Sequence, residues 1–200
     1  MKQVDWTKYY AATANDPPSR LAKEALERTS KRTAALDLGA GSGRNTRLLI
    51  SEKFEKIFAV EPSHHAPHLE AAEGVELIYS KDTLETFFGL SGPPKFELEF
   101  DLILCLNTFF FIKKEDVHSL LIRMGAALAH GGVIAFNVLG GGDEWALDGR
   151  EDISWFNDSE IAAIEEEFHP LYSSLETEYK KTALGTPKLW QTYSMVCVRE

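Results

Sequence analysis

Sulfur is scarce in this 200-residue chain, which has two cysteines and three methionines. Cys105 and Cys197 each sit inside a strand-like apolar run, the setting of a buried small hydrophobe rather than of a disulfide or a nucleophile. No Cys/His spacing matches a zinc site, so no metal is expected. No apolar run reaches the roughly 20 residues that a membrane-spanning helix needs, and the opening MKQVDWTKYY lacks the apolar core of a signal peptide. The expectation is a cytoplasmic chain without a membrane partner. Clusters of basic residues are missing too: 21 Lys and Arg stand against 31 Asp and Glu, a net charge of -10, which would repel a nucleic acid. Internal repeats and low-complexity tracts are absent, and the length and ordinary apolar fraction suit one domain with a sizeable core.

What the chain does have is concentrated between Ala34 and Arg47, AALDLGAGSGRNTR. A short apolar run ends at Asp37, glycines follow at alternate positions (Gly39, Gly41 and Gly43), and Arg44, Asn45 and Thr46 open a helix continued by Leu48, Leu49 and Ile50. That pattern reads as strand, tight turn, helix. Glycine takes positive φ freely and lets a ligand lie against the backbone, while the unpaired N–H groups of a helix start face the same spot. Such a turn suits a nucleotide-like ligand. The dinucleotide fingerprint G-x-G-x-x-G/A would need a small residue where Arg44 stands.

Apolar and amphipathic segments alternate beyond the turn. The pattern predicts strands over Lys56–Val60, Val75–Tyr79, Phe100–Leu106 and Val133–Leu139, with helices over Arg44–Glu52, about His65–Ala72, Thr83–Phe88 and Glu115–Ala129. This is the signature of right-handed βαβ units building a parallel sheet. Gly89–Lys95 reads as a loop. Gly131-Gly132 should break the fourth of these helices before its strand, and Gly140–Gly142 opens a loop running to about Ile153. Trp155–Glu160 reads as a chain entry and a cap for a helix to Phe168. Two β-like runs, His169–Tyr179 and Leu189–Arg199, flank a Gly185/Pro187 turn and should pair as an antiparallel hairpin. Before the glycine turn, Ser19 caps an expected helix over Arg20–Arg28, preceded by a polar and aromatic arm, residues 1–18. The domain proper is then residues 19–200.

An acidic residue two places before the first of three alternating glycines, followed by strands ending in Glu61, in Ser80-Lys81-Asp82 and in Asn107-Thr108, resembles the class I S-adenosylmethionine (SAM)-dependent methyltransferases. Within that family, GRNT after the turn and FDLILCLNTFFF along the fourth strand resemble the bacterial small-molecule enzymes related to the tellurite-resistance methyltransferases. The resemblance implies a Rossmann-like three-layer α/β fold: a mostly parallel seven-stranded sheet in the order 3-2-1-4-5-7-6 with the last strand antiparallel. It also implies SAM as cofactor, S-adenosylhomocysteine (SAH) as product, and in-line transfer of a methyl group to a small-molecule substrate.

On that resemblance, Asp37, Gly39, Gly41, Gly43 and Asn45 lie near the methionyl half of the cofactor, and Glu61 accepts from both ribose hydroxyls. Pro62, Asp82 and Thr83 flank the adenine, and Leu106 or Asn107 offers a carbonyl to the methionyl ammonium. The arm folds over the cofactor through Tyr9, Tyr10 and Arg20, the last pairing with the methionyl carboxylate. Tyr10, Asn107, Phe110, Trp145 and Trp155 are the expected walls of a substrate pocket. No catalytic acid or base is assigned, because a neutral thioether leaves without protonation and transfer rests on holding the attacking atom in line. The chain is expected to be a monomer or homodimer. Two other functions fit the same pattern, an NAD(P)-dependent oxidoreductase on a similar sheet and a noncatalytic SAM-binding protein.

Overall fold

A computed structural model describes residues 5–200. The first four residues of the expected arm lie outside the described residues. The arm itself holds a helix, α1 (Trp6–Thr13), which the polar and aromatic composition did not announce; Asp5 caps it by accepting from the Lys8 N–H. Helix α2 (Arg20–Arg28) follows, and Ser19 Oγ accepts from the Ala22 N–H at 3.0 Å, the expected cap.

The sheet is built from β1 (Ala34–Leu38), β2 (Lys56–Val60), β3 (Glu76–Ser80), β4 (Phe100–Cys105), β5 (Leu128–Gly140), β6 (Trp155–Phe156), β7 (Tyr172–Lys181) and β8 (Pro187–Val198). Its order is β3-β2-β1-β4-β5-β8-β7, with the two-residue β6 pairing beside β5. Setting β6 aside, this is the expected order. All pairs are parallel except β5 with β8 and β7 with β8, so β8 is the reversed strand. The helices between are α3 (Arg44–Ser51), α4 (Leu84–Phe87), α5 (Lys114–Ala127), α6 (Glu144–Leu147) and α7 (Asp158–Phe168). None is long and apolar enough to cross a membrane.

β1 and β4 are buried along their whole length, as strands covered on both faces should be. Alternate side chains therefore feed two cores. Ile103 and Cys105 enter one with Phe58, Phe136, Leu120 and Ile161, beneath α5 and α7. Leu102 and Leu104 enter the other with Ala22, Ala25, Leu49 and Phe54, beneath α2 and α3. Cys105 and Cys197 are both buried free thiols.

Three segments depart from the sequence expectation. Residues 65–72 form no helix. The run HAPHLEAA has a single large apolar residue, Leu69, too little for an amphipathic stripe, and Tyr79 Oη supplies the hydrogen-bond acceptor for the Leu69 N–H that a helix would have supplied. Strand β5 begins at Leu128, not after the glycine pair. Gly131 sits at φ +75° within it and Leu128 already pairs with Phe100, across a register shift before Leu102. The expected loop after Gly142 contains the short α6, capped by Asp143.

Candidate active site at the carboxyl ends of the central strands

The glycine turn crosses between β1 and β2: Gly39 N–H and Ala40 N–H both donate to the Val60 carbonyl, at 2.8 and 3.1 Å. Gly39, Gly41 and Gly43 all have positive φ (+64°, +58° and +77°), but they differ in what surrounds them. A Cβ on Gly39 would fall 2.3 Å from Thr108 Oγ1, and one on Gly43 would fall 2.7 Å from Leu69 Cδ1. Those two glycines let neighbouring segments close in. Around Gly41 the nearest such atoms are 3.7 and 3.8 Å away, an ordinary contact distance, the second being Tyr9 Cε1, so its positive φ rather than crowding favours glycine there. Gly43 is the N-cap of α3 and no side chain caps that helix start.

Glu61 stands at the end of β2 and binds back to this turn. Its Oε2 accepts from the Gly41 N–H at 3.0 Å, and its Oε1 accepts from the Ser63 N–H and the Tyr10 hydroxyl, both at 3.1 Å. Burial is the main cause of a rise in the Tyr10 phenol's pKa, with the Glu61 carboxylate adding to it. Tyr10 is itself fixed among aromatics: its ring is stacked with Trp6 at 6.2 Å, and Trp6 meets Phe111 edge-on at 5.5 Å. Ser42 Oγ donating to the Thr13 carbonyl closes the arm over the turn.

Asp37 does not face the cleft. It is 1% exposed, and Thr46 Oγ1 donates to its Oδ2 at 2.6 Å, linking β1 to α3. Burial pushes this carboxyl up to about 6, partly offset by the Thr46 hydroxyl and by Arg44. Its position in the motif is functional and its contacts are structural.

The end of β4 is held from both sides. Thr108 Oγ1 donates to the Leu38 carbonyl at 3.0 Å, and Asn107, at φ +58°, donates its N–H to Asn137 Oδ1 at 2.6 Å. Beyond it opens a cavity of about 1030 Å³ between α1, the start of α2 and the β7–β8 hairpin. Trp6, Tyr9, Phe110, Phe111, Trp145 and Trp190 wall it with rings, and Asn107, Asn137, Ser174, Thr192 and Ser194 line it with neutral polar groups. Ser174 Oγ is buried there without a hydrogen-bond partner.

The expected site residues divide accordingly. Gly41, Gly43 and Glu61 share one recess, and Tyr9, Leu106, Asn107, Phe110 and Trp145 line the adjoining cavity. Others are placed elsewhere. Trp155 lies outside the cavity, its ring against Gly141 and under Lys114 Nζ at 5.0 Å, where β6 pairs with the Leu139–Gly140 end of β5. Arg20 is at the cavity rim, but its guanidinium lies 3.6 Å from Glu176 and both are exposed, so it is aimed at β7 instead of at the glycine turn. Thr83 serves as the cap of α4, and Asn45 accepts from the Ser19 N–H at 3.1 Å, joining α2 to α3. Asp82 accepts from Ser80 Oγ, and Pro62 is exposed beside the recess. His64 and His68, spaced as on a helix, are on none; His68 packs against the Tyr79 ring. Among the described residues no group of His, Cys, Asp and Glu is placed to hold a metal.

Asn137 and Lys188 escaped the sequence reading. Asn137 is the single amide within the apolar run Val133–Leu139, and that interruption was its signal. Lys188 left none: it is 1% exposed, bonded to the fully buried Asp143, with Nζ 3.9 and 3.8 Å from the centres of the Trp145 and Trp190 rings. This paired, cation–π-packed lysine fixes α6 and its loop to β8 behind the cavity wall. Burial draws its ammonium below the ordinary lysine range, against the pull of Asp143.

Glycine turn, strand-end carboxylate and reversed terminal hairpin together define a Rossmann-like methyltransferase. Residues 36–134 match the family described as methyltransferase domain, and the fold is that of the class I SAM-dependent methyltransferases. Among solved structures it is similar to TehB from Haemophilus influenzae, with 14% identity and a TM-score of 0.64; the match covers all of this chain and 64% of that one, so the chain spans less than two thirds of TehB. It is also similar to the N-methyltransferase NodS from Bradyrhizobium japonicum (13%, 98% and 97% of the two chains, 0.61). A third is the 1,6-didemethyltoxoflavin-N1-methyltransferase from Burkholderia thailandensis (18%, 96% and 79%, 0.56). At these identities the likeness is one of fold. No curated protein matches the sequence.

Proposed function

We propose that this methyltransferase acts on an uncharged small molecule carrying hydroxyl, amide or aromatic-amine groups, bound in the cavity beyond β4. The observation that carries the reading is the lining of that cavity: aromatic rings interspersed with neutral hydroxyls and amides, and around them charged side chains such as Arg20, Glu176, Arg150 and Lys180. The basic residues around its rim are largely paired already, Arg20 with Glu176, Arg44 with Asp16, Arg150 with Asp152 and Lys180 with Glu178. An anionic acceptor finds no dedicated bidentate partner there. The 1,6-didemethyltoxoflavin-N1-methyltransferase, similar in fold, was crystallised with bound 1,6-didemethyltoxoflavin and SAH.

The residues fit an adenosyl group. Gly41 and Gly43 border the same recess as Glu61, whose carboxylate is the hydrogen-bond acceptor two ribose hydroxyls require. SAM, when bound, supplies a methyl carbon on a sulfonium that departs as a neutral thioether. Leu106 and Asn107 at the end of β4 border both the glycine turn and the cavity, so they set where an attacking atom must stand. The arm and the Trp6–Phe111 contact keep water from that junction, and orientation with exclusion of water is the contribution such a transfer needs most.

The test is SAH release measured over a set of phenols, alcohols, aromatic amines, thiols, carboxylates and metalloid oxyanions, after calorimetry of SAH alone. Turnover is expected with neutral hydroxyl or aromatic-amine acceptors. Binding of NAD without SAH, or turnover confined to the anions, would overturn the proposal.

A further inference from the structure

The chain reverses at Asn107 in a conformation that an L-residue seldom takes. Its φ of +58° lies in the left-handed region, which asparagine tolerates better than other residues with a side chain but does not prefer. Two hydrogen bonds from one partner surround it. The Asn107 N–H donates to Asn137 Oδ1 at 2.6 Å, and Asn137 Nδ2 donates to Asn107 Oδ1 at 2.8 Å. Asn137 is 8% exposed, in the middle of β5, where every neighbour in sequence from Val133 to Leu139 is apolar. A buried amide at such a place is costly unless its groups are matched. Here its oxygen and its nitrogen are both matched, and by one residue.

The opposite side of the same reversal is tied by the next residue. Thr108 Oγ1 donates to the carbonyls of Leu38 and Leu106, at 3.0 and 3.2 Å, and fills the space that a side chain at Gly39 would need. The reversal is thus clipped to β1 through Thr108 and to β5 through Asn137. Unusual backbone conformations persist only where their surroundings hold them, and they gather where a ligand must be placed accurately.

We infer that Asn137 is a positioning residue for methyl transfer: it holds Asn107 left-handed, and so fixes the end of β4 where the methionyl part of the cofactor and the acceptor meet. This rests on the reading that the cofactor lies between the glycine turn and the end of β4. Asn137 acts through Asn107 and touches neither reactant in this role.

The experiment uses the full chain, SAH as the probe, calorimetry for affinity and thermal melting for the fold. Asn137→Ala should weaken SAH at least tenfold. Adding Asn107→Gly to that variant should restore affinity to within about threefold of wild type, because glycine takes positive φ unaided. A purely structural loss at Asn137 would lower the melting temperature and would not be repaired by a second change at Asn107. If Asn137→Ala does not melt cooperatively, Asn107→Ala and Asn107→Gly decide the matter with Asn137 in place: both lose the side-chain amide, and only the alanine opposes the left-handed backbone. Weaker SAH binding by the alanine variant than by the glycine variant supports the inference. Equal affinities, unchanged affinity in Asn137→Ala, or loss there that Asn107→Gly leaves unrepaired would each overturn it. Wild-type protein that binds no SAH would instead remove the cofactor reading beneath it.

Discussion

Glu61 accepts three hydrogen bonds in this structure, and one donor, the Tyr10 hydroxyl, belongs to the arm. The carboxylate proposed for the ribose hydroxyls is therefore partly engaged by the protein itself. Replacing Glu61 by alanine should weaken SAH binding by about 1–2 kcal/mol, the worth of hydrogen bonds to a charged acceptor; calorimetry showing equal affinity would take Glu61 out of the site. Asp37 supports a different prediction. Its folded-state pKa lies near 6, above the 3.8 ordinary for an aspartic acid, so the fold favours the protonated acid. Its contribution to stability is complete below about pH 4 and is lost as pH rises through 6. At about 1.4 kcal/mol per unit, the loss is roughly 3 kcal/mol. Asp37→Asn keeps an oxygen for Thr46 and removes the ionisation, so it should gain stability relative to wild type between pH 4 and pH 7. Urea melts at the two pH values measure the difference, and a gap that does not change with pH would refute the shift.

Helix α1 matters at the next scale. Its contacts are to the glycine turn and to the Phe109–Phe111 turn, while the two cores beneath the sheet are built without it, apart from the buried Tyr10. Deleting residues 1–18 should therefore leave the melting transition cooperative and cut turnover; turnover equal to that of the full chain would show that the arm is no lid. Tyr10→Phe keeps the ring and removes one of the two donors to Glu61 Oε1, leaving the Ser63 N–H, so SAH should bind a few-fold more tightly to that variant, as calorimetry can read. The elements also show what was legible in the sequence. β1, β2 and α3 were readable because glycine spacing and unbroken apolar runs are local signals. α1 was not, since its aromatics serve one another and the turn in place of a helical stripe. Residues 65–72 misled because polar residues with good helix propensity look helical until a face is needed. Trp155 was misplaced for a related reason: a loop's path depends on which strand it joins, and the β5–β6 pair is not written in its spacing.

On the scale of the whole molecule, residue neighbourhoods were legible where a local motif builds them, as at Gly41, Gly43 and Glu61, which share one recess. They were less so where side chains from distant strands meet. Asn107 with Asn137, and Lys188 with Asp143, join residues 30 and 45 positions apart, and no local pattern marks such partners. The same global packing buries both thiols. Cys105 is inaccessible and Cys197 is 4% exposed; burial raises both, Cys197 to about 12, and a thiol without its thiolate is a poor nucleophile. A disulfide reagent at pH 8 should titrate less than one thiol per native chain and two after denaturation in guanidinium. Rapid reaction of either cysteine in the native protein would show that the sheet opens.

That silence of the native sulfur has a practical reach. A lone cysteine introduced at Lys8, on the exposed side of the arm, would carry a maleimide dye without competition from the rest of the chain, and the indoles of Trp6, Trp145 and Trp190 stand ready nearby as quenchers. Rising and falling emission from such a labelled chain would report, molecule by molecule, when the entrance is shut.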